Sequence, residues 1–422
     1  MCDLKSISNP SKNMENIKID NCLFKTIGFM DCASGFQEAL SSNSFHKKSF
    51  DDSTQYFLKN SYHAEFLNIM FCSDDSGVEI FSKKVNYQIK INNKENDVTL
   101  SNIDVYIFNN THQNTKTSIF ALTYKPSVNN LGEVSDISND LKNHNCEIHF
   151  DSKTQLLKDF ISEHIFFGNK FSDGKTSLEQ YSGNRFKNYL VIDFEKDLID
   201  RDQLLYELGT SSMLGTIENN TIHAPSTSYV KTILENKISY FKNYECLTLL
   251  DSFTVIGTNN YDENHIYTHS TWNDIYFSIY IFNLYVKCSL QIFLNDFTSN
   301  PMVKRKEFQE FYNKYYFRKI SYNFLPNEIF KRISDSLEIE DDLDFIETKL
   351  ETLASQVNEK QQKQQEFLLL CLSVIALLET PLHIEGIREI IGIRNMTIYN
   401  SIVYPVLVLT LVVLLISRYR KK

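Results

Sequence analysis

The strongest constraint on this 422-residue chain lies at its C-terminal end, Phe367 to Lys422. Two apolar runs are separated there by a polar link and closed by a basic tail. The second run, Ile402 to Ile416, carries no charge. With its flanks from Tyr399 to Ser417 it reaches about 19 residues, or roughly 28 Å as a helix, which matches the hydrocarbon core of a bilayer. The first run, Phe367 to Leu378, has 12 residues and by length alone is ambiguous with a buried helix of a soluble protein. Topology bears on the choice. The N-terminal stretch MCDLKSISNPSKNMENIKIDN has no apolar h-region or cleavage signal. The tail Arg418, Tyr419, Arg420, Lys421, Lys422 belongs on the cytoplasmic side. One span would put that tail outside, whereas two return it. The expectation is a transmembrane hairpin with both termini in the cytoplasm, and the rival is a tail-anchored interaction protein whose first run is soluble core.

The rest of the chain is long enough for one large soluble domain or two. A net charge of −10 argues against direct nucleic-acid binding. Eight cysteines are scattered without a CxxC pair, which supports neither a zinc site nor a disulfide frame and suits a reducing cytosol. No nucleophile–base pair, Walker loop, GxGxxG or HExxH is present, and with 12 glycines a phosphate-cradling loop is not expected. The chain reads as a non-enzyme.

Residues 1–60 are polar and weakly patterned. From His63 onward, short runs rich in β-branched and aromatic residues alternate with turn formers. EFLNIMFC (65–72), VEIF (78–81), VNYQIKI (85–91), IDVYIF (103–108), SIFALTY (118–124), CEIHF (146–150) and YLVIDF (189–194) read as strands. Val85, Tyr87, Ile89 and Ile91 alternate as one buried face would. QLLKDFISEHIFF (155–167) has helical spacing, so residues 61–227 read as an α/β or α+β cytosolic domain. Residues 228–327 read as mainly helical, with helices over Tyr229 to Leu250, Trp272 to Phe297 and Lys304 to Tyr316. The second is long and aromatic, but Asn273, Asp274, Asn283 and Lys287 interrupt it, which marks a packed soluble helix and not a third span. Trp272, with Tyr276 and Tyr280 at helical steps, could stack an adenine; core packing is the plainer reading.

A stalk follows at 328–366. Ile339, Leu343, Ile346, Leu350, Leu353 and Val357 recur at steps of 4, 3, 4, 3 and 4, a heptad seam. Its register runs through Lys360 and Gln364 to Phe367. One continuous helix is expected from Glu328 to Leu378, and a seam of that length calls for partner helices. The membrane hairpin then occupies 367–417 and the basic tail 418–422. Acidic residues crowd the stalk, among them Glu340, Asp341 and Asp344, as either a solvated face or a divalent-cation site between subunits. Glu379, His383 and Glu385 follow the first apolar run, as ionisable groups facing a pore or as solvated loop.

A long helix entering the membrane, a short loop, a second span and a basic cytoplasmic tail resemble the CorA family of metal-ion transporters. TPLHIEGI (380–387) is similar to the segment of those proteins around the end of the first span. The resemblance covers residues 320–422 in detail and the rest in outline. It implies a homopentamer: an α+β cytosolic domain, a long stalk helix and a C-terminal two-helix transmembrane hairpin in the inner membrane. The stalk and first span would line the pore. Phe367, Leu370 and Val374 would form an apolar gate, and Glu379, His383 and Glu385 would form rings near its mouth. The family's Gly-Met-Asn filter is absent. Ile387, Arg388, Glu389, Ile390, Ile391 and Gly392 stand in its place. That departure is similar to CorA-like membrane effectors of type III CRISPR antiviral defence, which implies an ion channel opened by the nucleotide second messenger SAM-AMP. Transport of Mg2+ or another divalent cation is the alternative the family offers.

Overall fold

The computed structural model describes residues 17–32, 35–71, 77–92, 97–108, 116–127, 130–165, 167, 185–194, 200–217, 224–258, 271–295, 300–391 and 409. The side chains of 31, 32, 116, 374, 375 and 377–391 lie outside the description. The chain divides into two compact units, residues 1–297 with 307–346, and residues 298–306 with 347–422.

The first unit is built on one eleven-stranded mixed sheet. Its strands are β1 (Ile19–Cys32), β2 (His46–Lys47), β3 (Val78–Ile91), β4 (Asp97–Phe108), β5 (Lys116–Pro126), β6 (Glu147–Phe150), β7 (Lys153–Leu156), β8 (Lys187–Phe194), β9 (Lys237–Phe241), β10 (Tyr244–Leu249) and β11 (Ser252–Thr258). Their order is β7-β6-β3-β4-β5-β1-β8-β11-β10-β9, with β2 added beside β3. Neighbours run antiparallel except β8 and β11, which are parallel.

Helices cover both faces, so the unit is an α+β domain. On one face α1 (Phe36–Ser42), α4 (Leu131–Leu141), α5 (Leu157–His164) and α6 (Arg201–Thr210) bury Leu40, Val134, Ile137, Phe160 and Leu205 against Phe24, Val105, Phe120, Leu122 and Ile192. On the other face lies α8 (Phe277–Asn295), introduced by a single π-helical turn over Thr271–Tyr276. Its ring of Tyr285 stacks on Phe108 at 3.8 Å, and Phe277 meets Tyr189 edge-on at 4.9 Å. Thr271–Asn295 is the one helix among the described residues long and apolar enough to cross a membrane, yet 78% of its apolar window is buried. Phe66 of α3 (Ala64–Met70) packs on its far side against Phe282. Trp272 is 1% exposed, enclosed by Tyr244, Phe253 and Tyr276. It is core.

Several expectations are corrected. The region read as weakly patterned contains β1, a central strand. Its run CLFKTIGFM (22–30) is apolar on both sides because both faces are covered, and such a strand shows no alternation. Within EFLNIMFC, Glu65 to Met70 belong to helix α3, in which Phe66, Leu67 and Met70 share a buried face; a short apolar run does not distinguish strand from helix. The helix expected over Tyr229 to Leu250 is α7 (Thr227–Leu234) alone, followed by the hairpin strands β9 and β10. Alternation in β3 holds: Lys84, Asn86, Gln88 and Lys90 are exposed, while Ile89 and Ile91 are buried.

The expected single helix from Glu328 is two. Helix α10 (Phe324–Ser336) ends at Leu337, and Glu338 turns the chain with φ at +54°. That left-handed conformation is costly for a non-glycine residue and interrupts the helix. Helix α11 then runs unbroken from Ile339 to Ile391, 53 residues or about 80 Å, past the point where the first apolar run ends. The seam also differs from expectation. Ile339, Leu343 and Ile346 are buried within the first unit, so these positions need no partner helix. Leu353 and Val357 are half-buried, and every residue from Asn358 to Leu369 is exposed. The second apolar run lies outside the described residues except Leu409.

Candidate functional site

Register places a polar row across four strands on the α8 face. Lys25 of β1 pairs with Thr123 of β5, Thr123 with Asn102 of β4, and Asn102 with Lys84 of β3. One step inward, Asp104 pairs with Ser82. Residues two apart on a strand share a face, so these side chains all point to the same side. The apolar cover of α8 begins at Phe277, and the polar row lies beside its entry turn. The result is a cleft of about 760 Å³, with Lys25 and Asp104 deep in it, Asn273 and Asp274 along one side, and Lys84 and Lys125 at its rim.

The charges in this cleft are unequally satisfied. Lys25 is 3% exposed. Its ammonium donates to the Asn273 carbonyl at 3.2 Å and lies 3.8 Å over the Phe277 ring. Burial pushes its pKa down to about 8, against the pull of the Asp104 and Asp274 carboxylates and with a further push from Lys48. Lys48 reaches in from the segment after β2 and meets Asp274 at 2.9 Å. Burial works against its charge too, but Asp104 and Asp274 outweigh it and hold its pKa above the usual range. Asp104 is 2% exposed, and its Oδ1 has no hydrogen-bond partner among the described residues. Asn273 Oδ1 is likewise unsatisfied. Lys84 and Lys125 are exposed and pair with no carboxylate among the described residues. The cleft thus offers cations at its mouth and two idle acceptors at its floor.

A second cleft of about 600 Å³ lies between α8, α10 and the start of α11. Some of the polar groups in and around it are paired. Arg332 pairs with Glu328 at 3.6 Å, and Asn327 caps the backbone of Ile320 and Ser321 at 3.0 Å. Burial and the neighbouring Glu340 carboxylate push the Tyr316 phenol up to about 12. Beside it, Lys287 of α8 meets Asp342 of α11 at 2.8 Å. The ammonium lies off the hydrogen-bonding direction of that oxygen, so this is an ion pair without a directed hydrogen bond.

The residues singled out in the sequence are dispersed. Glu340, Asp341 and Asp344 are exposed, and the described residues contain no group of three His, Cys, Asp or Glu able to hold a metal ion. Phe367 is 52% exposed and Leu370 half-buried. Val374, Glu379, His383 and Glu385 lie on α11, with side chains outside the description. None of the cleft residues Lys25, Lys48 or Asp104 stood out in the sequence. The available signal was a charge inside an apolar run, Lys25 in CLFKTIGFM and Asp104 in IDVYIF. Asn273 and Asp274, seen only as interruptions of a helix, turn out to line one side of the cleft. No protein-family model and no curated protein matches this chain.

Proposed function

We propose that this chain is a subunit of a ligand-gated membrane ion channel with the CorA-like plan: a homopentamer, its α+β domain in the cytoplasm and a two-helix hairpin in the inner membrane. The observation that carries this reading is the surface of α11 after the stalk. Phe367, Leu368, Leu369 and Leu372 are 52%, 61%, 64% and 60% exposed. At 100° per residue they point to roughly 0°, 100°, 200° and 140° around the axis. An apolar face that wide exceeds a coiled-coil seam, and it calls for lipid on most sides and sister helices on the rest. The run of exposed polar residues immediately before it, Gln361 to Glu366, suits a helix leaving water for a bilayer.

In this reading the cytoplasmic domain senses a nucleotide second messenger, SAM-AMP, and acts in type III CRISPR antiviral defence by dissipating ion gradients. Phe367, Leu370 and Val374 form a dry constriction that closes the pore at rest, and Glu379, His383 and Glu385 form rings beyond it. A messenger opens the pore only by binding the open form more tightly than the closed form. The polar cleft supports a ligand-binding role for the domain. The test is reconstitution of the purified chain in dye-loaded liposomes. SAM-AMP should collapse an imposed ion gradient, read by an ion-sensitive dye trapped inside, and the detergent-solubilised protein should have an oligomeric mass. A monomer, or vesicles that stay sealed with the messenger present, refutes the reading.

A further inference from the structure

The cleft on the sheet has a polarity of its own. At its mouth, Lys84 and Lys125 are exposed cations without an ion-pair partner among the described residues, and Lys48 stands behind them with its charge held by Asp274. At its floor, Asp104 Oδ1 and Asn273 Oδ1 are buried acceptors without donors among the described residues. An unsatisfied buried acceptor is a cost that a protein seldom keeps without use, and the missing partner must be an N–H or O–H donor. A ligand that completes this site is therefore anionic at one end and a donor at the other. The space, about 760 Å³, exceeds what a bare phosphate fills and lies in the range of small-molecule sites. The π-helical turn that supplies Asn273 and Asp274 is a further mark, since such turns recur at functional sites.

We propose that this cleft is the nucleotide-binding site of the domain, with phosphate held by Lys84, Lys125 and Lys48 and an amine-bearing base donating to Asp104 Oδ1 at the floor. Lys25 is the positioning residue. Its hydrogen bond to the Asn273 carbonyl fixes the π-helical turn over the sheet, and its ammonium lies within electrostatic reach of the Asp104 carboxylate. The second cleft is the weaker candidate because none of the residues lining it has a buried, unsatisfied side-chain acceptor among the described residues. The proposal rests on the ligand-gated reading for its biological role, but its binding chemistry is measurable without a membrane.

The experiment is calorimetric titration of the full-length protein in detergent with ATP, GTP, CTP, UTP and pyrophosphate. At least one of the three nucleotides carrying an exocyclic amine should bind at least tenfold more tightly than UTP and pyrophosphate. The rim variant Lys84→Gln/Lys125→Gln should weaken that binding at least tenfold and flatten its salt dependence, because two phosphate contacts are lost. The rim residues are exposed, so the variant should keep the wild-type unfolding midpoint read from Trp272 fluorescence. Asp104→Leu, which leaves no acceptor at the floor, should erase the preference for the amine-bearing base. No binding by any nucleotide, equal binding of pyrophosphate, or an unaltered affinity in the folded rim variant overturns the site. Nucleotide binding without ion leak overturns the channel reading and leaves the site standing. SAM-AMP-triggered leak at the wild-type dose in the rim variant does the reverse.

Discussion

Lys25 gives a sharp test of the electrostatics in the cleft. Its pKa falls from 10.5 to about 8 because burial strips the ammonium of water faster than Asp104 and Asp274 compensate. The unfolded chain therefore holds this proton across pH 8 to 10.5 while the folded chain has lost it. Stability rises with pH wherever the unfolded state binds more protons. The penalty for burying the charged lysine is fully present below about pH 8 and gone above about pH 10.5. At about 1.36 kcal/mol per unit, the swing is roughly 3 kcal/mol, with little reduction for solvent screening because the group is buried. Lys25→Met removes the titration. Guanidinium unfolding of both proteins, followed by the single buried Trp272, should give a stability difference, wild type minus variant, that is flat up to pH 8 and climbs by about that amount by pH 10.5. Ionisation of tyrosines and cysteines is common to both proteins and cancels. Parallel curves over the whole range would show that Lys25 titrates normally, and the account of the cleft floor would fail.

Three other outcomes are expected. Gly28→Ala should destabilise by about 1–3 kcal/mol, because a Cβ there would lie 2.3 Å from the Phe120 ring in a sealed core; Phe120→Leu in the same chain should restore part of the loss in denaturant unfolding, and simple additivity would refute the clash. Asp342→Ala should cost about 3 kcal/mol by stranding the Lys287 ammonium, whose side chain is 12% exposed, and a change under about 0.5 kcal/mol in the Trp272-monitored midpoint would show the pair to be dispensable. Leu370→Ser should wet the proposed constriction and leak ions from liposomes without any messenger; vesicles that hold their ion gradient at normal protein incorporation would remove this face from the gate.

The sequence by itself determined whatever depends on neighbours along the chain. Alternation over Val85, Tyr87, Ile89 and Ile91 marked a strand with one buried face, and β3 has it. The polar interruptions in the run from Trp272 marked a core helix, and each has a place. Asn273 and Asp274 edge the cleft, Asn283 donates back to the Ile279 carbonyl, and Lys287 meets Asp342. The apolar run from Phe367 was legible because nothing charged interrupts it. Tertiary structure decided what depends on distant partners. CLFKTIGFM became the central strand β1 only because β5 and β8 flank it and helices cover both faces. The stalk seam reads as a partner-seeking stripe, yet Ile339, Leu343 and Ile346 are spent inside the first unit after Glu338 breaks the helix. The polar row is wholly a product of register. Lys25, Thr123, Asn102 and Lys84 are neighbours because strands up to a hundred residues apart pair at one offset. A slip of one residue would turn each of those side chains to the opposite face. A local pattern records which face of an element is buried, but the offset between elements is fixed only when their whole surfaces pack.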